Sequence, residues 1–266
     1  MSEATWRDIG ADRADGSWIA VGYTANGAVE AALFDTIGDL WDAHRVTARR
    51  IVVDVPIGLC GSRDDDSACC VETDGERSRR CDDLARPVIG PRSSSVFTAP
   101  SRPAVRLAAE GAEYSEVNEM NRSHTGKGLT QQAANIAPGI VEVEEFLLDT
   151  EATDTVFEGH PEVCFRAFGS TPLSHSKKTA PGVVERLSLL ESVPEYTEGS
   201  WRTVVQSVAD GDVEPAADDV IDALALALTA RAPDDAFHHL PSDPPTDAKG
   251  LPMEMVYRRA KPFSEA

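Results

Sequence analysis

The sequence predicts an α/β fold built on a mixed five-stranded sheet with its first three strands antiparallel. Turn signals at Asp15-Gly16 and Asn26-Gly27 join three stretches rich in strand formers. The apolar run Arg50-Ile51-Val52-Val53-Asp54-Val55-Pro56 reads as a buried, parallel strand, because both its faces are apolar. Helical patterns then separate that strand from the last one and follow it. In order, residues 6–12, Trp18-Ile19-Ala20-Val21-Gly22-Tyr23 and 28–34 form the meander, and Ile37, Leu40 and Trp41 fall at helical spacing in a short helix over 37–44. The stretch from 60 to about 104 mixes Asp64-Asp65-Asp66, Arg79-Arg80, Arg86, Arg92 and Ser93-Ser94-Ser95 with four prolines and reads as a long, mostly irregular insertion. Residues 107–114 and 131–148 are helical, Thr155-Val156-Phe157-Glu158 is a buried strand, and 180–190 and 218–231 are helices. The expected organisation is one domain over 1–232 with insertions at about 60–135 and 165–215, then a loosely attached Pro/Asp-rich tail over 233–266.

The chain has 266 residues, 45 Asp+Glu against 25 Lys+Arg, and a formal net charge of -20. Its hydrophobic fraction of 41% suffices for a core and excludes wholesale disorder. No apolar run approaches the roughly 18 residues that a membrane helix needs. Residues 1–10 carry Glu3, Arg7 and Asp8 without an apolar core, so no export signal is read there and a cytoplasmic location is expected. Acids are spread along the whole chain, and lysine is confined to Lys127, Lys177, Lys178, Lys249 and Lys261. That balance suits a salt-rich, halophilic cytoplasm, where self-repulsion is screened within about 3 Å at 1 M. Five cysteines, an odd number with no Cys-x-x-Cys pair, predict reduced thiols and match no standard zinc module.

Carboxylates stand where the buried strands are read: Asp12 in the first, Asp54 at the end of the fourth, Glu158 at the end of the fifth. Asp219 and Asp222 are three apart on the final helix and project from nearly one face. A carboxylate in an apolar element is costly unless paired or metal-bound, so several converging ones explain one another. Hard divalent ions take such oxygen ligands and act on phosphodiesters. The plain alternatives are a helix cap for Asp218 or Asp219 and a strand-end turn for Asp54; neither covers Asp222, which precedes Ala223-Leu224-Ala225-Leu226-Ala227-Leu228. His160 is a candidate acid/base or ligand, or a structural histidine. Arg80, Arg86, Arg92, Lys177 and Lys178 are candidate phosphate clamps, with surface ion pairs as the alternative in so acidic a chain.

Gly10-Ala11-Asp12 with Gly16-x-Trp18, Asp54-Val55-Pro56-Ile57-Gly58-Leu59, Arg80-Cys81-Asp82-x-x-Ala85-Arg86, Arg92-x-Ser94-Ser95-Val96-Phe97, Glu158-x-His160-Pro161-Glu162, Ser176-Lys177-Lys178 and Asp218-Asp219-x-x-Asp222-Ala223 together resemble the family called domain of unknown function 429. The resemblance spans residues 10–230 and implies a ribonuclease-H-like fold and a metal-dependent nuclease. It further implies that Asp12 is the first-strand carboxylate, that Asp54 or Glu158 is the central one, and that Asp219-x-x-Asp222 is the final-helix pair; in that arrangement Asp12 bridges two Mg2+ or Mn2+ ions, Asp54 and Asp222 each hold one, and Asp219 helps. The substrate implied is nucleic acid, for which Arg80, Arg86, Arg92, Lys177, Lys178 and His160 are the candidate contacts read from the residues themselves. Two alternatives stand beside it: a non-catalytic ribonuclease-H-like binding module, and a hydrolase of a small phosphorylated substrate. An ATPase of the actin and sugar-kinase type calls for a Gly/Thr-rich phosphate turn after the first strand, where this chain has Arg13-Ala14-Asp15-Gly16.

Overall fold

Asp15 and Gly16, with φ of 48° and 91°, make the tight turn between β1 (Trp6–Ala14) and β2 (Ser17–Thr24). Both residues lie in the left-handed region that a two-residue hairpin loop requires, which is why Asp-Gly signals it. The computed structural model describes residues 5–61, 70–209 and 214–265. β3 (Val29–Phe34) follows the turn at Asn26-Gly27, and α1 (Ile37–His44) opens on a capping box between Thr36 and Asp39. β4 (Arg50–Val53) comes next. The chain then passes through β5 (Cys70–Thr73), β6 (Glu76–Arg79), α2 (Arg80–Ile89), α3 (Arg102–Ala109), α4 (Tyr114–Thr125), α5 (Gln131–Asn135) and α6 (Ala137–Thr150). It continues through β7 (Val156–Glu158), α7 (Pro161–Phe168), α8 (Ala180–Glu191), α9 (Ser200–Val208) and α10 (Ala217–Ala230), and ends with β8 (Phe237–Leu240) and β9 (Met255–Arg258).

These elements form two compact units where the sequence suggests one domain with insertions. The first unit comprises Met1–Asp54, Asp154–His238 and Val256–Ser264. Its sheet has the order β3-β2-β1-β4-β7. β1 pairs antiparallel with β2 and β2 with β3, while β4 runs parallel to β1 and β7 parallel to β4. Since side chains alternate along a strand, Asp8, Gly10 and Asp12 share one face with their register partners Tyr23, Val21, Ile19 and Val52. Helix α10 lies on that face. Gly10 allows the close approach: a Cβ there would come within 2.1 Å of Ala227 N and 2.3 Å of Ala223 O. Ile19, Val21, Val52, Leu224, Leu226 and Leu228 are all fully buried in the core so formed.

The second unit holds Val55–Thr153, His239–Met255 and Glu265–Ala266. Here the irregular insertion expected over 60–104 is largely regular: the hairpin β5–β6 turns at Asp74 and Gly75, both at positive φ, and α2 and α3 follow. The Asp74-Gly75 signal is hidden in the sequence by the charged residues around it. The expectation of reduced thiols is also corrected, since Cys60 and Cys70 form a disulfide; Cys81 and Cys164 are buried outside any bridge. Asp64-Asp65-Asp66 and Cys69 lie outside the described residues. Helices α3 to α6 enclose cores of Leu59, Val105 and Ile140 and of Ala104, Val117, Leu129 and Ala133. The C-terminal segment is no loose tail. Leu240, Leu251, Met253 and Met255 of this unit are buried, as are Val256 and Tyr257 of the first unit, and apolar burial of that kind anchors a segment whatever its proline content. Among the described residues no helix is long and apolar enough to cross a membrane.

Candidate functional site

Three carboxylates of the first unit meet at one end of the α10-covered sheet face. Asp12 sits near the end of β1 and is 7% exposed. Asp54 follows β4 directly, its N–H bonded to Ala11 O at 3.0 Å, so it extends the parallel ladder by one residue and takes the same face as Val52. Asp222 enters from the second turn of α10 and is 2% exposed. Burial first, then the charges of Asp54 and Asp222, hold the Asp12 carboxyl well above the ordinary carboxylate range. Burial also raises Asp54, opposed by His160 and Lys177. Asp222 is pushed up to about 7 by burial, with Lys177 opposing and Asp54 and Glu162 adding to the rise.

The cation among these acids is Lys177. Its Nζ lies 2.5 Å from Asp222 Oδ2 and 3.4 Å from Asp218 Oδ2. Burial disfavours its charge, yet Asp222, then Asp12 and Asp54, outweigh that and hold the ammonium firmly protonated. The loop carrying it is pinned to the start of α8. Glu185 accepts the N–H groups of Ser174 at 2.8 Å and His175 at 2.9 Å, and Arg186 donates to His175 O at 3.2 Å. Gly182 leaves room for the loop, since a Cβ there would stand 1.9 Å from Ser176 O. Lys178 pairs with Asp218 at 2.6 Å, and Asp219 is half-buried, its carboxyl raised by burial and by Asp218.

Two neighbours carry no individual signal in the sequence. Glu162, in the first turn of α7, is buried, pairs with the fully buried Arg186 and adds negative charge beside Asp54 and Asp222. The Pro161-Glu162 start of α7 is readable as a helix N-terminus, but its depth is not. Cys164, on the same helix, is also buried, and its thiol is pushed up to about 12, chiefly by that burial. His160 caps α7, its Nδ1 accepting from Glu162 N–H at 3.2 Å, and also lies close enough to Asp54 to lower its pKa.

Glu158 stands apart from Asp12, Asp54 and Asp222. Its register partner is Val53, so it occupies the face opposite Asp12 and Asp54. A carboxylate at a strand end has two faces to choose from, and the sequence alone does not give the register. Arg80, Arg86 and Arg92 belong to the second unit. Arg80 lies 3.3 Å from Glu265; Arg86 pairs with Asp83 at 2.5 Å and donates to Thr98 Oγ1 at 2.9 Å; Arg92 sits in the 3-10 turn Gly90–Ser95. Part of the Asp54–Leu59 and Arg80–Arg86 motifs is structural: buried Arg79 pairs with Asp82 at 2.6 Å and donates to Ile57 O at 3.1 Å, and Asp82 accepts Ala99 N–H.

Oxygen donors from two strand ends and a helix suit a hard divalent cation such as Mg2+ or Mn2+. One observation supports that fit beyond composition: the buried Oδ1 of Asp222 has no hydrogen-bond partner. Fold and site together define an α/β protein whose sheet face ends in a buried carboxylate cluster with one lysine inside it. The chain belongs to the family described as Protein of unknown function (DUF429), whose model matches residues 10–246. No curated protein and no solved structure matches it.

Proposed function

We propose that this protein is a divalent-cation-dependent phosphodiester hydrolase of ribonuclease-H-like type, with Mg2+ or Mn2+ held by Asp12, Asp54 and Asp222. The observation that carries this is the meeting of those three side chains on one sheet face, with the buried Asp222 Oδ1 unpartnered. Such an oxygen is costly unless a proton or a cation meets it. The strand directions and the family resemblance both support the ribonuclease-H-like arrangement. When bound, the cation supplies positive charge against which negative charge on a reacting phosphate develops. Asp12 and Asp54, fixed by the sheet, orient it, and Asp222 closes the set from the helix. His160, with Nδ1 committed to the α7 cap, keeps its proton on Nε2 when neutral.

A small phosphoester is favoured over a polynucleotide as substrate. The chain carries a net charge of -20, and four of the basic residues read as phosphate clamps are engaged by carboxylates: Arg80 by Glu265, Arg86 by Asp83, Lys177 by Asp222 and Lys178 by Asp218. Mn2+ calorimetry in molar KCl on wild type and Asp12→Asn tests the metal centre. Binding should weaken about tenfold or more in the variant, which removes one charged ligand. Equal binding removes the centre. Mn2+-dependent hydrolysis is then compared between bis(4-nitrophenyl) phosphate and single strands, duplexes, hybrids and junctions. Metal binding without turnover on any of these leaves a non-catalytic binding module.

A further inference from the structure

We infer that the pocket is built for a single divalent cation, and that Lys177 permanently fills the place of a second positive charge; this rests on the metal centre proposed above. Charge balance in a buried site favours one ion. Glu162 has its own counter-charge in Arg186, and Asp218 in Lys178, so neither calls for a further cation. Asp219 is half-buried, and its charge acts on Asp12 less than those of Asp54, Asp222 and Lys177 do. That leaves Asp12, Asp54 and Asp222 with three negative charges, of which Lys177 cancels one. The remaining two match one Mg2+ or Mn2+. A pair of divalent ions beside Lys177 would instead leave two uncompensated positive charges in a largely desolvated pocket, an arrangement a protein interior does not repay.

Lys177 is also built in, not loosely draped. Its ammonium touches Asp222 Oδ2 at 2.5 Å and leaves Asp222 Oδ1, buried and unpartnered, for the ion. The backbone that presents it is held by Glu185 and Arg186 and seated against Gly182, whose missing side chain makes the seat possible. Displacing the lysine to admit a second ion would require undoing that seat.

The test counts ions. Mn2+ is titrated into the full chain in molar KCl, with binding followed by calorimetry and Mn–Mn coupling by electron paramagnetic resonance. Wild type should take one ion with no coupling, and Lys177→Arg, which keeps the charge, should do the same. Lys177→Met should bind its first ion about tenfold or more tightly, because a like charge close by has gone, and should admit a second. Should the methionine variant not fold, Lys177→Gln removes the same charge while keeping a donor for Asp222. Two coupled ions in wild type, or a charge-removing variant with wild-type stoichiometry and affinity, or one that binds none where wild type binds one, overturns the single-ion inference and leaves the metal centre standing. Binding to neither wild type nor the charge-removing variant removes the metal centre itself.

Discussion

Asp8 and Asp12 stand on the same strand and the same face, about 13 Å apart at the usual strand rise, and both are buried. Their surroundings are opposite. Asp8 lies 2.8 Å from Arg49 and 3.8 Å from Arg231, and Arg49 and Arg50 also donate to Ala230 O and Ala232 O at the C-terminal end of α10. Cations at that end complement the helix dipole and satisfy carbonyls that the helix leaves open. Asp12, at the other end of the face, meets Asp54, Asp222 and a single lysine. One end of the face is a finished ionic network and the other is held short of positive charge. The same residue type is thus matched by cations at one end and left short of counter-charge at the other.

The comparison breaks most severely at the support both ends share. Gly10→Ala should cost about 3 kcal/mol or more, because the new methyl meets α10 backbone and no flexible side chain can yield. Chemical denaturation measures this. A neutral result would mean that α10 does not seat on β1 as described.

Next in size is a pair of identical substitutions with opposite signs. Asp8→Asn should destabilise by about 2–3 kcal/mol, since it strips Arg49 of the nearer and more buried of its two carboxylates and weakens the Arg231 contact. Asp12→Asn should stabilise the metal-free protein by about 1 kcal/mol at neutral pH, since it removes a charge that the fold holds against burial and against Asp54 and Asp222. Denaturant midpoints of the two variants beside wild type decide it; the same sign for both would erase the distinction between the two ends.

How much of this contrast the sequence reveals depends on the scale of the cause. The hairpin turns, α1 and α10 are legible because each follows from local spacing: Asp15-Gly16, Ile37 with Leu40, and an unbroken apolar helix after Asp222. Asp12, Asp54 and Asp222 can be nominated because a carboxylate beside apolar residues is conspicuous. Glu158 is equally conspicuous, and only the pairing of Val53 with it reveals that it faces away. Glu162 and Lys177 are set by long-range packing. A helix-start glutamate and a loop lysine look like solvent-facing residues until α7, α8 and α10 are assembled around them.

The pH dependence sharpens the comparison further. Asp12, Asp54 and Asp222 all have folded pKa values above their unfolded ones, Asp222 reaching about 7. Their protonated forms therefore stabilise the fold fully below the ordinary carboxylate range, and each contribution is lost as pH rises through that group's folded value, about 7 for Asp222. Carboxylates held low, such as Glu144 and Asp218, act in the opposite direction, so the signal lies in the difference between wild type and Asp12→Asn. Across that window the variant should gain on metal-free wild type as pH rises, by about 1.4 kcal/mol per unit of pKa difference it removes. Saturating Mn2+ should cancel or reverse the trend in wild type alone. Parallel stability curves for the two metal-free proteins would mean that Asp12 is not protonated abnormally.

The smallest effect expected comes from the lysine next to the one that matters. Lys178 and Lys177 are adjacent in sequence and both contact Asp218, but the Lys178 side chain is 68% exposed and that of Lys177 32%. A pair at the surface is screened by water and salt, so Lys178→Ala should change stability by less than about 0.5 kcal/mol in molar KCl and leave Mn2+ binding as it is. Lys177 touches Asp222 inside the pocket, where screening is weak, so removing its charge should change ion binding even if stability barely moves. Equal effects of the two lysines on Mn2+ affinity would indicate that the acidic end responds to net charge at long range and not to one cation placed inside it.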